Sequence, residues 1–101
     1  MTRTKSRTDT NQSDIVAAFE ACDGVKVHLT HREGKGFPDL VVGLCGLNLL
    51  VEVKDGNKPA SARKLTKAQE KWHDEWPGQV TIVECAEEAR GLVAWIQRDK
   101  W

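Results

Sequence analysis

The sequence predicts a single α/β domain: one mixed central sheet with helices packed on it, in the order α-β-β-β-α-β-α. Three observations predict it. The chain has 101 residues, enough for one domain with a thin core. Its composition, 40% hydrophobic and 30% charged, is an ordinary globular mix that excludes whole-chain disorder, collagen and coiled coil. Its apolar residues repeat with helical spacing in some stretches and with strict alternation in others, separated by Gly, Pro and Asn signals.

Residues 1–9 read as a flexible basic tail, with Thr, Ser, Lys and Arg and nothing to bury. The domain proper spans 10–101. Its first helix starts within 10–13, where every residue is a good cap. Ile15, Val16, Phe19 and Cys22 form one stripe, and Asp23-Gly24 ends the helix. Val25, Val27 and Leu29 then alternate with Lys26, His28 and Thr30, a half-buried strand. Gly34 and Gly36 mark a loop. Pro38 cannot donate to a sheet ladder, so the second strand follows it over 39–43. A tight turn at 44–46 leads to an antiparallel third strand over 47–54, which Asp55-Gly56-Asn57 breaks. After a polar loop at 58–64, a helix over 66–76 places Leu65, Ala68, Trp72 and Trp76 on one face, read here as core. Pro77-Gly78 stops it. A fourth strand over 79–84 and a helix over 86–98, burying Ala89, Leu92, Val93 and Ile96, complete the order.

No apolar run reaches the length of a membrane span, and the polar N-terminus has no signal-peptide core. Three scattered cysteines, with no Cys-x-x-Cys, point to a reducing cytoplasm. His28, His31 and His73 show no zinc-site spacing with them, although His31 precedes Asp39 in a Gly-rich loop and could touch phosphate. Net charge is zero but unevenly placed: residues 54–71 carry +4 and residues 1–13 carry +2, against −3 in each of 14–53 and 72–101. Basic charge collected in this way offers a surface to a polyanion; a solvated helix face is the other reading.

The chemistry-bearing segment is Gly36-Phe37-Pro38-Asp39, followed by Glu52-Val53-Lys54. Side chains alternate along a strand, so Asn48, Leu50, Glu52 and Lys54 share one face and Leu47, Leu49, Val51 and Val53 the other. In a hairpin closed at 44–46, the start of one strand lies beside the end of its partner, which brings Asp39 to Glu52 and Lys54. Two carboxylates converging at a sheet end suit Mg²⁺ or Mn²⁺. A neighbouring lysine can orient water or neutralise phosphate charge. The same three residues also make a buried ion-pair cluster, and spacing alone does not choose between the two.

Pro38-Asp39 with Glu52-Val53-Lys54 resembles the PD-(D/E)XK nuclease motif, and the element order is similar to that superfamily's restriction-endonuclease-like core. The run Gly-Phe-Pro-Asp-Leu-Val-Val-Gly, the Glu-Val-Lys-Asp-Gly segment and the later Leu65-Thr66-x-x-Gln69 resemble its VRR-NUC branch, which includes small stand-alone phage and prophage members. The resemblance covers roughly residues 11–89. It implies that Asp39, Glu52 and the carbonyl of Val53 ligate Mg²⁺ or Mn²⁺, and that Lys54 positions the attacking water. A first-helix ligand is also implied. Asp14 and Glu20 are its acidic candidates, Gln12 occupies the aligned place, and Asp14 is preferred as lying near the helix start. Gln69 matches the branch's glutamine, while Thr66-x-x-Gln69 is equally a capping box. Lys58, Arg63, Lys64 and Lys67 are the expected DNA phosphate contacts.

The expectation is therefore a Mg²⁺-dependent DNA endonuclease of phage or bacterial cytoplasm, selective for branched or four-way-junction DNA. It would work as a homodimer through the last helix with Trp95 and Trp101, and with no membrane partner. The alternatives are a non-catalytic nucleic-acid-binding module and a structural subunit that keeps the fold.

Overall fold

The computed structural model describes residues 11–30 and 33–99. The basic tail, His31 and Trp101 lie outside them. Among the described residues the protein is a small mixed α/β domain with four strands and three α-helices: α1 (Gln12–Glu20), β1 (Lys26–Leu29), β2 (Leu40–Leu44), β3 (Leu47–Val53), a 3-10 turn (Ala60–Ala62), α2 (Lys67–Glu75), β4 (Val80–Val83) and α3 (Ala86–Asp99). The sheet runs β1-β2-β3-β4 in space; β1, β2 and β3 are antiparallel and β4 is parallel to β3. Among the described residues no helix is long and apolar enough to cross a membrane.

The hairpin between β2 and β3 turns on Cys45 and Gly46 alone, both at positive φ, the backbone of a type I′ turn whose twist matches the strands. Its register pairs Leu44 with Leu47 and Leu40 with Val51, so Asp39 falls opposite Glu52 one position further on. One sheet face is the core. Leu40, Val42, Leu44, Leu49, Val51, Val53 and Val83 pack there against Ile15 and Phe19 of α1 and Ala89, Val93 and Ile96 of α3. Both helices present an apolar stripe at helical spacing, and burying it removes from water the surface that drives folding.

The other face is mostly open, with Ile82 exposed by 40%. Only α2 stands over one end of it, and α2 buries none of its residues. The expected core face of this helix is therefore absent. Trp72 and Trp76 stack on each other outside the core, with Phe37 edge-on to Trp72, and Trp76 is 42% exposed. Their spacing is that of a core stripe, but the packing that would use it went to α1 and α3 on the opposite face.

Candidate active site at the end of the hairpin

The open face becomes polar where β2 begins and β3 ends. Asp39 has left the backbone ladder with β3, and its carboxylate takes over as acceptor: Oδ2 receives the Val53 N–H at 2.8 Å. On the other side, Thr30 N–H donates to the Asp39 carbonyl at 2.8 Å and Thr30 Oγ1 to the Pro38 carbonyl at 2.7 Å, which fixes the approach to Asp39. Glu52, on the same face as Asp39, is only 1% exposed. A carboxylate so buried is costly unless hydrogen bonds hold it.

Those bonds come from α2. Gln69 Nε2 donates to Glu52 Oε2 at 2.9 Å, and Gln69 Oε1 accepts from Lys54 Nζ at 2.8 Å. The same Oε1 accepts the Thr66 backbone N–H, and Thr66 Oγ1 accepts the Gln69 N–H, which closes a capping box. The capping-box reading of Gln69 is met, and the same amide also bridges the Glu52 carboxylate to the Lys54 ammonium. The loop before Asp39 is pinned to α2 as well. Gly36 sits at φ +84°, and a Cβ there would lie 2.3 Å from the Ala68 carbonyl oxygen, so only glycine permits this approach.

Lys54 is held at three points. Its N–H donates to Val83 O, its carbonyl accepts from Asn11 Nδ2 at 3.0 Å, and its ammonium meets Gln69. Asn11 Nδ2 also reaches Glu84 O at 2.8 Å. Asn11 occupies the N-cap position of α1 but makes no side-chain cap bond; its amide instead ties the ends of β3 and β4 together.

His73 was missed by the motif reading. It lies one helical turn beyond Gln69 on the same face of α2, with Nε2 3.8 Å from Glu52 Oε1 and its side chain 13% exposed. Burial, and then the Lys54 ammonium, push this imidazole below its ordinary value of 6.5; Asp74 opposes them. The i, i+4 spacing of Gln69 and His73 was the available signal.

The remaining expected residues are placed elsewhere. Asp14 is exposed and lines a depression of about 310 Å³ with Asn11, Glu84 and Glu88. Gln12 is buried and Glu20 exposed; both border a shallow groove beside Leu29. Among the described residues there is no group of three or more His, Cys, Asp and Glu side chains that could hold a metal ion. Arg63 is engaged by Glu84 at 3.0 Å, whereas Lys58, Lys64 and Lys67 are exposed.

The donor set fits a hard divalent ion that keeps most of its own water. Asp39 and Glu52, at opposed positions on one face of adjacent strands, offer two carboxylates, the number Mg²⁺ typically takes from a protein. Comparison with models of protein families, with curated proteins and with solved structures gives no significant match.

Proposed function

We propose that this protein is a Mg²⁺- or Mn²⁺-dependent phosphodiesterase that cleaves DNA, of the PD-(D/E)XK type and resembling its VRR-NUC branch. The observation that carries the reading is the placement of Asp39 one position beyond the Leu40–Val51 pair, opposite a buried Glu52, with Lys54 tied to Glu52 through Gln69. Asp39, Glu52 and the Val53 carbonyl would hold the ion. When bound, a divalent ion supplies Lewis-acid activation and neutralisation of phosphate charge. Lys54 orients the attacking water and balances charge that develops on the phosphate. Gln69 holds that ammonium and the Glu52 carboxylate at a fixed separation. Lys58, Lys64 and Lys67 hold flanking phosphates, with a duplex or branched DNA engaged by two copies of the chain. Arg63 would join them on leaving Glu84.

A labelled linear duplex and a four-way junction, incubated with the purified chain in Mg²⁺ and Mn²⁺, test the reading. Cleavage by the wild type should be abolished in Asp39→Asn and Glu52→Gln with the fold retained by circular dichroism. No cleavage of either substrate by the wild type would leave a non-catalytic nucleic-acid-binding module. That second reading is favoured by the lack of a third acidic ligand among the described residues. Equal rates on the two substrates would remove the branched-DNA preference.

A further inference from the structure

Helix α2 carries its side chains in rows, because residues four apart on a helix are neighbours along one line. Gln69 and His73 form the row that faces Glu52 and Lys54. Lys67, Lys71 and Glu75 form an exposed row on the other flank. Between the two run Ala68, Trp72 and Trp76. The nuclease reading gives the first row and Lys67 a task and leaves this middle row without one.

The middle row builds a ladder of rings. Trp72 is half-buried, with Phe37 edge-on to it at 5.0 Å between centroids and Trp76 stacked on it at 4.7 Å and 20°. Trp76 is the outer member and is 42% exposed. Gly78 leaves room for that ring, since a Cβ there would lie 2.8 Å from the indole Nε1. Beside the stack lies a depression of about 370 Å³, lined by Lys35, Ala68, Lys71, Trp72 and Glu75. Lys35 is brought to its rim by the loop that Gly36 seats on Ala68, and it holds a φ of +56°, a left-handed conformation uncommon outside glycine. Lys35, Lys64, Lys67 and Lys71 are all exposed. Lys71 meets Glu75 at 2.6 Å, but a pair this exposed holds its partners weakly. By helical spacing, Glu70 and Asp74 fall on the side of α2 away from the rings.

We propose that the Phe37, Trp72 and Trp76 stack is a platform for an unpaired nucleotide of the strand to be cut, whose base extends the stack on Trp76 while Lys67 and Lys71 hold its flanking phosphates. The substrate is then DNA with unpaired bases beside the scissile phosphate. This deepens the nuclease reading, on which it rests for the course of the strand past Glu52. The bases of an intact duplex hide their faces against one another, so only an unpaired base can meet an indole. Every base has a π-face, so the contact carries little sequence preference. Charge selects this occupant over an apolar protein segment, because Lys35, Lys64, Lys67 and Lys71 gather around the rings and call for a polyanion. Continuity with the site supports it too. Trp72 and Trp76 follow Gln69 by about one and two helical turns, so a strand leaving Glu52 runs along the stack.

The test uses a duplex with a short gap, 2-aminopurine among its unpaired bases, and the intact duplex of the same sequence. Both are titrated with the full chain in EDTA, followed by anisotropy and 2-aminopurine emission, and then offered for cleavage in Mg²⁺. The wild type should favour the gapped DNA and quench the 2-aminopurine on binding. Trp76→Leu should weaken gapped binding by about 10-fold and remove both the preference and the quench, and Trp76→Phe, which keeps a ring, should recover most of both. Lys67→Gln combined with Lys71→Gln should reduce the salt slope of gapped binding by about 2. Equal affinity for the two DNAs, or a quench that survives Trp76→Leu, overturns the platform, and cleavage by the wild type would then leave the nuclease reading standing. Preference and quench without cleavage uphold the platform and overturn the nuclease reading. Binding of neither DNA overturns both. A wild-type dimer in light scattering that Trp76→Leu converts to a monomer assigns the stack to a contact between two copies and overturns the platform. If Trp76→Leu does not fold, the wild-type quench and the salt slope of the lysine variant decide.

Discussion

Helices α2 and α3 flank the same sheet and are held by different forces. The 14 residues of α3 bury Ala89, Val93 and Ile96 against the sheet, and its hold is apolar area removed from water. None of the 9 residues of α2 is fully buried. Its hold is a capping box, a glutamine that bonds both Glu52 and Lys54, and a glycine that lets a loop touch Ala68. Apolar packing is non-directional and tolerant; a hydrogen-bonded seat is directional and specific. It follows that α3 sets whether the chain folds, and α2 sets the geometry around Glu52.

Ile96→Ala presses hardest on this contrast. The side chain is fully buried, so truncation should cost about 2–5 kcal/mol of global stability, read from chemical denaturation. A loss under about 1 kcal/mol would mean that α3 is not the apolar anchor described.

Gln69→Ala sharpens the other side. It removes the capping box, the bond to Glu52 and the bond to Lys54. A cost of about 1–3 kcal/mol is expected, concentrated in α2. Hydrogen exchange should quicken over Lys67–Glu75 and stay unchanged over Ala86–Asp99. Equal quickening in both helices would show that α2 is part of the same cooperative unit as the core.

The smallest effect is a pH dependence in EDTA. The folded His73 imidazole lies below its ordinary value of 6.5, so in the window below 6.5 the unfolded chain binds more protons than the folded one. Stability therefore rises with pH through that window, and the contribution of His73 is lost as pH falls. His73→Gln should flatten the slope of stability against pH between 5 and 6.5 (about the span over which an ordinary histidine titrates). An unchanged slope would show that His73 does not take up the proton over this range.

By itself the sequence determined the local elements and one tertiary feature. The stripe Ile15, Val16, Phe19, the stripe Ala89, Val93, Ile96 and the alternation through β3 follow from periodicities that act over a few residues. The approach of Asp39 to Glu52 follows from a hairpin whose two-residue turn fixes its register. Those rules hold regardless of the rest of the chain. Only the tertiary structure decided where α2 sits, because a helix with no buried apolar residue is placed by a few polar bonds between groups distant in sequence, such as Gln69 and Glu52, 17 residues apart. It likewise took Asn11 from a helix cap to a clamp on Lys54 and Glu84, set Arg63 against Glu84, moved Trp72 and Trp76 out of the core, and brought His73 to Glu52. Hydrogen bonds and ion pairs depend on distance and angle to tenths of an ångström, and no periodicity in a sequence encodes separations between elements at that scale.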